Sequence, residues 1–191
     1  EPTENPNASK PRYIWIDAAA NFPDFANSKE NIARDLALAK DAGFTDIVVD
    51  VRPTTGDVLF KTNHVDQVKF MYAWIGSNYT KVERTATWDY LQAFVDEARK
   101  QGLRIHAAIN TFVGGNQIDG GTGLLYRDQS KAAWATQMNM QTGITSVMNT
   151  SESAKFFNPA HPEVQTFLCN LLEDLASYDL DGIFLDRGRF L

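Results

Sequence analysis

The chain has 191 residues, 43% hydrophobic and 22% charged, which is enough for one sizeable core in a single domain. Its 18 lysines and arginines against 24 aspartates and glutamates leave a net charge of −6 without any basic block, which argues against a nucleic-acid binder. No apolar run approaches the roughly 18 residues of a membrane-spanning helix, and the single cysteine excludes an internal disulfide.

Residues 1–11 are polar and proline-rich and begin without methionine. They read as a disordered leader, of the kind left when a signal peptide or lipoprotein anchor is removed, although an artificial chain boundary would look the same. A first strand is expected over residues 13–17 (YIWID). A helix over 29–42 follows, with Ser28 as its N-cap and Gly43 as its stop. A second strand covers 45–52 (TDIVVDVR). The helix over 88–101 places Leu91, Phe94, Val95 and Ala98 on one face and closes at Gly102. The third strand is 103–110 (LRIHAAIN). The helix over 162–178 carries an apolar stripe of Val164, Phe167, Leu168, Leu171, Leu172 and Leu175. His161 or Asn158 leads into it and Pro162 suits its first turn. Cys169 falls within this apolar pattern and is expected to be a buried, inert thiol. The fourth strand is 181–186 (DGIFLD). Strand and helix alternate throughout, which implies a parallel sheet.

Alternation within the strands goes further. Ile14 and Ile16, then Ile47, Val49 and Val51, then Ile105, Ala107 and Ile109, then Ile183 and Leu185 form purely aliphatic faces suited to packing on helices. The opposite faces carry Trp15 and Asp17; Val48, Asp50 and Arg52; His106, Ala108 and Asn110; Phe184 and Asp186. A doubly wound sheet should be aliphatic on both sides. One mixed face that becomes polar at every C-terminal strand end is what a barrel interior with a site at its mouth requires. The expected fold is therefore α/β, the N-terminal part of a TIM (β/α)8 barrel of about four βα units spanning residues 12–191. Connections of about 35 and about 50 residues follow strands two and three, a length that usually marks function. They hold many aromatic residues and two glycine pairs, Gly114-Gly115 and Gly120-Gly121.

At the end of the fourth strand Asp186 is a candidate nucleophile or charge-stabilising carboxylate; the bland alternative is a capping acid, or one paired with Arg187 or Arg189. Asp181, at the other end of that strand, reads as a turn or cap acid. Arg52, near the mouth, is a candidate for binding a substrate oxygen or keeping a carboxylate ionised, while Asp50 is as consistent with a structural pair as with function. Asp17 and Asn110 hold matching strand-end positions and are candidates for substrate contact. His106 lies deeper and reads as a hydrogen-bonded core histidine. Metal binding is poorly supported by three histidines without ligand spacing. No phosphate loop, dinucleotide fingerprint or serine nucleophile elbow occurs, so no cofactor is implied. Sugar rings present apolar C–H faces, so aromatic loops beside carboxylates suit a glycan.

The segments 12–17, 43–53, 102–110, 157–164 and 178–186 together resemble the family-10-like glycoside hydrolases, bacterial glycosyl-hydrolase-like lipoproteins related to the α-amylase superfamily. The resemblance implies a (β/α)8 barrel, a secreted, periplasmic or outer-membrane-anchored protein with its lipid anchor upstream of residue 1, and hydrolysis of an O-glycosidic bond in a cell-wall glycan or other polysaccharide. By the same comparison Asp186 matches the nucleophile of α-amylases, and the acid/base glutamate follows a fifth strand. Arg52 and Arg189 would hold the nucleophile ionised or bind a sugar hydroxyl, and Trp15, Asp17 and Asn110 would contact the glycan. The expectation is of the N-terminal half of a longer enzyme, inactive by itself. A non-catalytic carbohydrate-binding barrel, or a metal-dependent barrel hydrolase using His106 with Asp17 or Asp50, are the rival readings.

Overall fold

The computed structural model describes residues 10–189, so residues 1–9 of the expected leader lie outside the described part. In chain order the elements are β1 (Tyr13–Ile16), α1 (Ala18–Phe25), α2 (Lys29–Asp41), β2 (Asp46–Arg52), β3 (Phe70–Ile75), β4 (Asn78–Glu83), α3 (Tyr90–Gln101), β5 (Arg104–Asn110), β6 (Val113–Asn116), α4 (Leu124–Arg127), β7 (Gln137–Met140), β8 (Gly143–Ser146), β9 (Ala154–Phe156), α5 (Pro162–Ala176) and β10 (Gly182–Asp186). The four expected strands, β1, β2, β5 and β10, pair in parallel and in that spatial order. Each new strand joins on the same side of the last. Right-handed crossovers then carry every connecting helix to one face, whereas a doubly wound sheet reverses its order midway.

The helices begin and end where local chemistry says they should. Ser28 Oγ accepts from the Asn31 amide at 3.1 Å to start α2, and Asp89 Oδ1 accepts from the Gln92 amide at 3.1 Å to start α3. His161 Nδ1 does the same for the Glu163 amide at 3.2 Å, with Pro162 in the first turn of α5. Gly102, at φ +70°, closes α3 in the left-handed region. The core lies between these helices and the aliphatic sheet face: Ile47, Val49, Ile105 and Ala107 are wholly buried against Ile32, Leu91, Phe94 and Leu175.

Among the described residues no helix covers the other sheet face. Tyr13, Trp15 and Phe184 are 56, 43 and 49% exposed there. Trp15 stands on the first strand and Phe184 on the last, yet their ring centroids are 5.0 Å apart. In a flat sheet three strand spacings would separate them by about 14 Å. The sheet curls, and its mixed face is concave. These four units are an arc of a (β/α)8 barrel, as the alternation pattern required.

Four features depart from the sequence reading. Ile183 and Leu185, expected on a face packed against helices, are 37 and 51% exposed, because β10 is the edge strand of the arc. Strand one ends at Ile16 because Asp17 leaves it to cap α1, a short proline-containing helix that buries Phe22 and Phe25. The two long connections are built from antiparallel ribbons, β3–β4, β6–β9 and β7–β8. Cys169 is exposed rather than buried. The buried stripe of α5 is Val164, Phe167, Leu168, Leu171 and Leu175; Cys169, one residue past Leu168, is turned about 100° away from it.

Leu171→Ala should therefore cost about 2–5 kcal/mol in chemical denaturation, and Cys169→Ala less than about 0.5 kcal/mol. Equal losses at the two positions would mean that the buried face of α5 is misassigned.

Candidate active site

The C-terminal strand ends surround a cavity of about 130 Å³ lined by Trp15, Asp17, Asp50, Asn110, Asp186 and Arg187, with Met71 reaching in from the β3–β4 ribbon. Register explains the convergence. Asp186 pairs with Asn110 across β10 and β5, and Asp50 pairs with Ala108 across β2 and β5, so both acids stand on the concave face in successive layers. Ala108 leaves room between them.

Asp186 Oδ1 accepts a hydrogen bond from the Arg187 amide at 2.8 Å. Arg187 is held at φ +47°, which is uncommon for a residue with a side chain and marks local strain at the strand end. The Asp186 carbonyl accepts from the Thr111 amide at 2.8 Å, tying the ends of β10 and β5 together. Asp17 is at the mouth, but its Oδ1 accepts from the Ala20 amide at 2.7 Å; it caps a helix as well as lining the cavity. Trp15 lines the cavity wall with Phe184 edge-on to it. Asn110 is 7% exposed and donates through Nδ2 to the Arg52 carbonyl at 2.9 Å.

Arg52 is not at the surface of the mouth. A register shift between Asp50 and Arg52 sets Arg52 opposite Ile109 instead of Asn110, which breaks the alternation that would have placed it beside Asp50. Its side chain is wholly buried. The guanidinium donates through Nη1 to the carbonyls of Asn110 and Thr111 and through Nη2 to that of Val113. Burial lowers it to about 10, still charged at neutral pH. Arg52 thus holds the strand end that carries Asn110 and does not reach the cavity. Arg189 is exposed on the turn after Asp186, beside an open surface shared with Asp186 and Arg187.

Asp50 is the group whose importance the sequence did not reveal. It is 7% exposed and accepts from the Arg52 amide at 3.1 Å. Burial pushes its carboxyl up to about 7, and the negative charges of Asp17 and Asp186 add to the rise. Behind it, burial and then the charge of Asp50 push the Tyr90 phenol up as well. The opposite end of the sheet shows the contrast. Asp46 is bonded by Arg104 at 2.9 Å and by His106 Nε2 at 2.8 Å, and Arg104 holds its carboxyl well below the usual range. Asp181 accepts from Arg99 and from the Ile105 amide, both at 2.8 Å. His106, needed by a metal-centred reading, is thus committed to Asp46 and away from Asp17 and Asp50. An acid two residues before Arg52 on the concave face was the available sequence signal for Asp50; what it lacked was the depth of burial.

The raised carboxyl of Asp50 has a thermodynamic consequence. The folded state keeps a proton there that the unfolded chain releases near 4, so this contribution to stability is complete below about pH 4 and is lost as pH rises to about 7. The loss is on the order of 4 kcal/mol. Asp50→Asn should flatten that part of the stability–pH curve between pH 4 and 7 in urea melts; a wild-type slope retained by the variant would remove the assignment.

An S-layer-related protein of Niallia circulans is 31% identical over 183 residues, which span 93% of this chain but 11% of that protein. The structure of α-L-fucosidase isoenzyme 2 from Paenibacillus thiaminolyticus superposes with a TM-score of 0.59 at 19% identity, over 93% of this chain and 23% of that one. A GH36 α-galactosidase from Geobacillus stearothermophilus gives 0.54 at 12% identity, over 91% and 20%. Such coverage of barrel glycosidases is that of a partial barrel. The family described as Glycosyl hydrolase-like 10 matches residues 10–189, and this chain belongs to it.

Proposed function

We propose that the barrel mouth hydrolyses an O-glycosidic bond, with Asp186 as the carboxylate that attacks the anomeric carbon or stabilises the oxocarbenium charge. The observation that carries this reading is the meeting of Asp186, Asp17, Asp50 and Asn110 around one cavity at the C-terminal strand ends. The family and the barrel glycosidases of similar fold support it. Three carboxylates so close would repel one another if all were ionised. Asp50 relieves this by holding its proton near neutral pH, and in that form it donates a hydrogen bond to a sugar hydroxyl. Asn110 offers a carbonyl oxygen to the same sugar, and Trp15 a ring for its C–H face.

In this reaction the bond from the anomeric carbon to the leaving oxygen breaks while that oxygen takes a proton from a second carboxyl; water adds to the anomeric carbon, displacing Asp186 where it has bonded there, and gives its proton to a carboxylate. Its separation from Asp186 sets the outcome: about 5–5.5 Å for retention and about 6.5–9.5 Å for inversion. The substrate class we propose is a glycan of the bacterial envelope, with the protein exported and lipid-anchored. The S-layer-related description of the Niallia circulans relative supports action at the cell surface.

In a protein that carries the complete barrel, Asp186→Asn should lower turnover of the accepted glycan by at least about a hundredfold while leaving binding intact. Asp50→Asn, which mimics the neutral carboxyl, should retain activity and extend it above pH 7, where the wild type declines as Asp50 ionises. Product analysis across the pH range with cell-wall glycan and polysaccharide substrates reads both. Glycan binding without turnover by a protein that carries the complete barrel would instead establish a non-catalytic binding barrel.

A further inference from the structure

The β3–β4 ribbon has two unlike faces. Met71 and Ala73 are buried, with Met71 at the cavity lining and β3 lying along α1. The other face carries Phe70, Tyr72 and Trp74, in register with Glu83, Lys81 and Tyr79. Tyr72 and Tyr79 stack at 5.2 Å and 29°, Trp74 adjoins Tyr79 at 5.2 Å and 41°, and Phe70 meets Tyr72 edge-on at 6.1 Å. Lys81 Nζ sits 4.3 Å from the centre of the Phe70 ring. The row ends at the ribbon tip, where Trp74 is 68% and Tyr79 56% exposed. None of these four rings belongs to the buried core.

The row is also held in place. Asp119, on the glycine-rich connection after β6, accepts from Tyr72 Oη at 2.8 Å and pairs with Lys81 Nζ at 2.8 Å. Asp119 itself is at φ +51°, one of two residues other than glycine with positive φ among those described. A strained residue that fixes the edge of an exposed aromatic row is a cost that folding by itself does not require.

We infer that the Trp74–Tyr79 face of the ribbon is a second glycan-binding site outside the cavity, on which a sugar ring of a polysaccharide lies flat. The C–H face of the sugar covers the exposed rings, and its hydroxyls reach the Lys81–Asp119 pair at their edge. A protein partner fits less well. Interface cores are depleted in charge and extend over about 800 Å² per partner, whereas Lys81 and Glu83 interrupt this six-residue face. Met71, on the opposite face of the same strand, lines the cavity at the mouth. The inference rests on the glycan reading of that mouth, but its test is independent of catalysis.

The test is retention on insoluble peptidoglycan sacculi, starch granules and cellulose, compared among the wild type, Asp186→Asn and the double variant Trp74→Ala/Tyr79→Ala. The expected result is retention of the wild type on one of these probes, unchanged by Asp186→Asn and at least about tenfold weaker in the double variant, the scale of losing a hot-spot aromatic. Trp74→Phe, which keeps a ring, should restore most of the binding and guards against a folding artefact. Equal retention of the double variant and the wild type, or retention of the wild type on none of the three, overturns the proposal. So does a change in sedimentation mass of the double variant with retention unaltered, which would make the face a protein–protein contact. Loss of turnover without loss of retention in Asp186→Asn leaves this site standing and bears on the mouth alone.

Discussion

Parallel strands laid down in sequence order, each joined to the next by a right-handed crossover, leave a sheet with helices on one side only. The uncovered side must then curl upon itself, because a flat sheet would leave its rings in water on a broad plane. The 5.0 Å contact between Trp15 and Phe184 records that curl. Side chains from first and last strands are thereby brought to a common centre, and every chemical property of the mouth follows from this. Without it Asp17 and Asp186 would stand on opposite edges and share no cavity.

The two ends of the arc treat carboxylates in opposite ways. At the N-terminal end Asp46 and Asp181 are matched by Arg104, His106 and Arg99, an arrangement that spends charge on joining strands and helix. At the C-terminal end the carboxylates of Asp17, Asp50 and Asp186 each accept from a backbone amide, and the one arginine buried nearby gives its Nη donors to backbone carbonyls. Burial raises the proton affinity of the deepest of them, Asp50, and the charges of Asp17 and Asp186 add to the rise. This asymmetry between an ion-paired base and a mouth whose acids accept from backbone amides matches the barrel pattern, in which stability residues gather at one end and functional groups at the other.

The connections add a second layer. The β3–β4 ribbon contributes Met71 to the cavity from one face and an aromatic row to solvent from the other, an ordinary outcome of period-two alternation in a strand buried on one side. Asp119 joins that ribbon to the glycine-rich connection, where close approaches such as Gly123 to the Gly115 backbone leave no room for a side chain. The loops are therefore cavity wall and exposed ribbon held to a rigid frame.

Most of the frame was legible in the sequence. Alternation of aliphatic and mixed residues in four short segments, with capped amphipathic helices between them, determines parallel order and the side that faces the helices, because both depend on local periodicity. Asp186 and Asn110 could be placed at the mouth for the same reason. The face of Arg52 could not be read, since a one-residue register shift reverses the side a strand residue takes and depends on pairing with β5. Cys169 was misplaced because an apolar run does not say where the edge of the buried stripe falls until the helix is docked. The ribbons within the long connections and the proton on Asp50 were likewise invisible, for pairing between distant segments and depth of burial are properties of the assembled chain. Local spacing chose the elements; the curl of the sheet chose which acids meet.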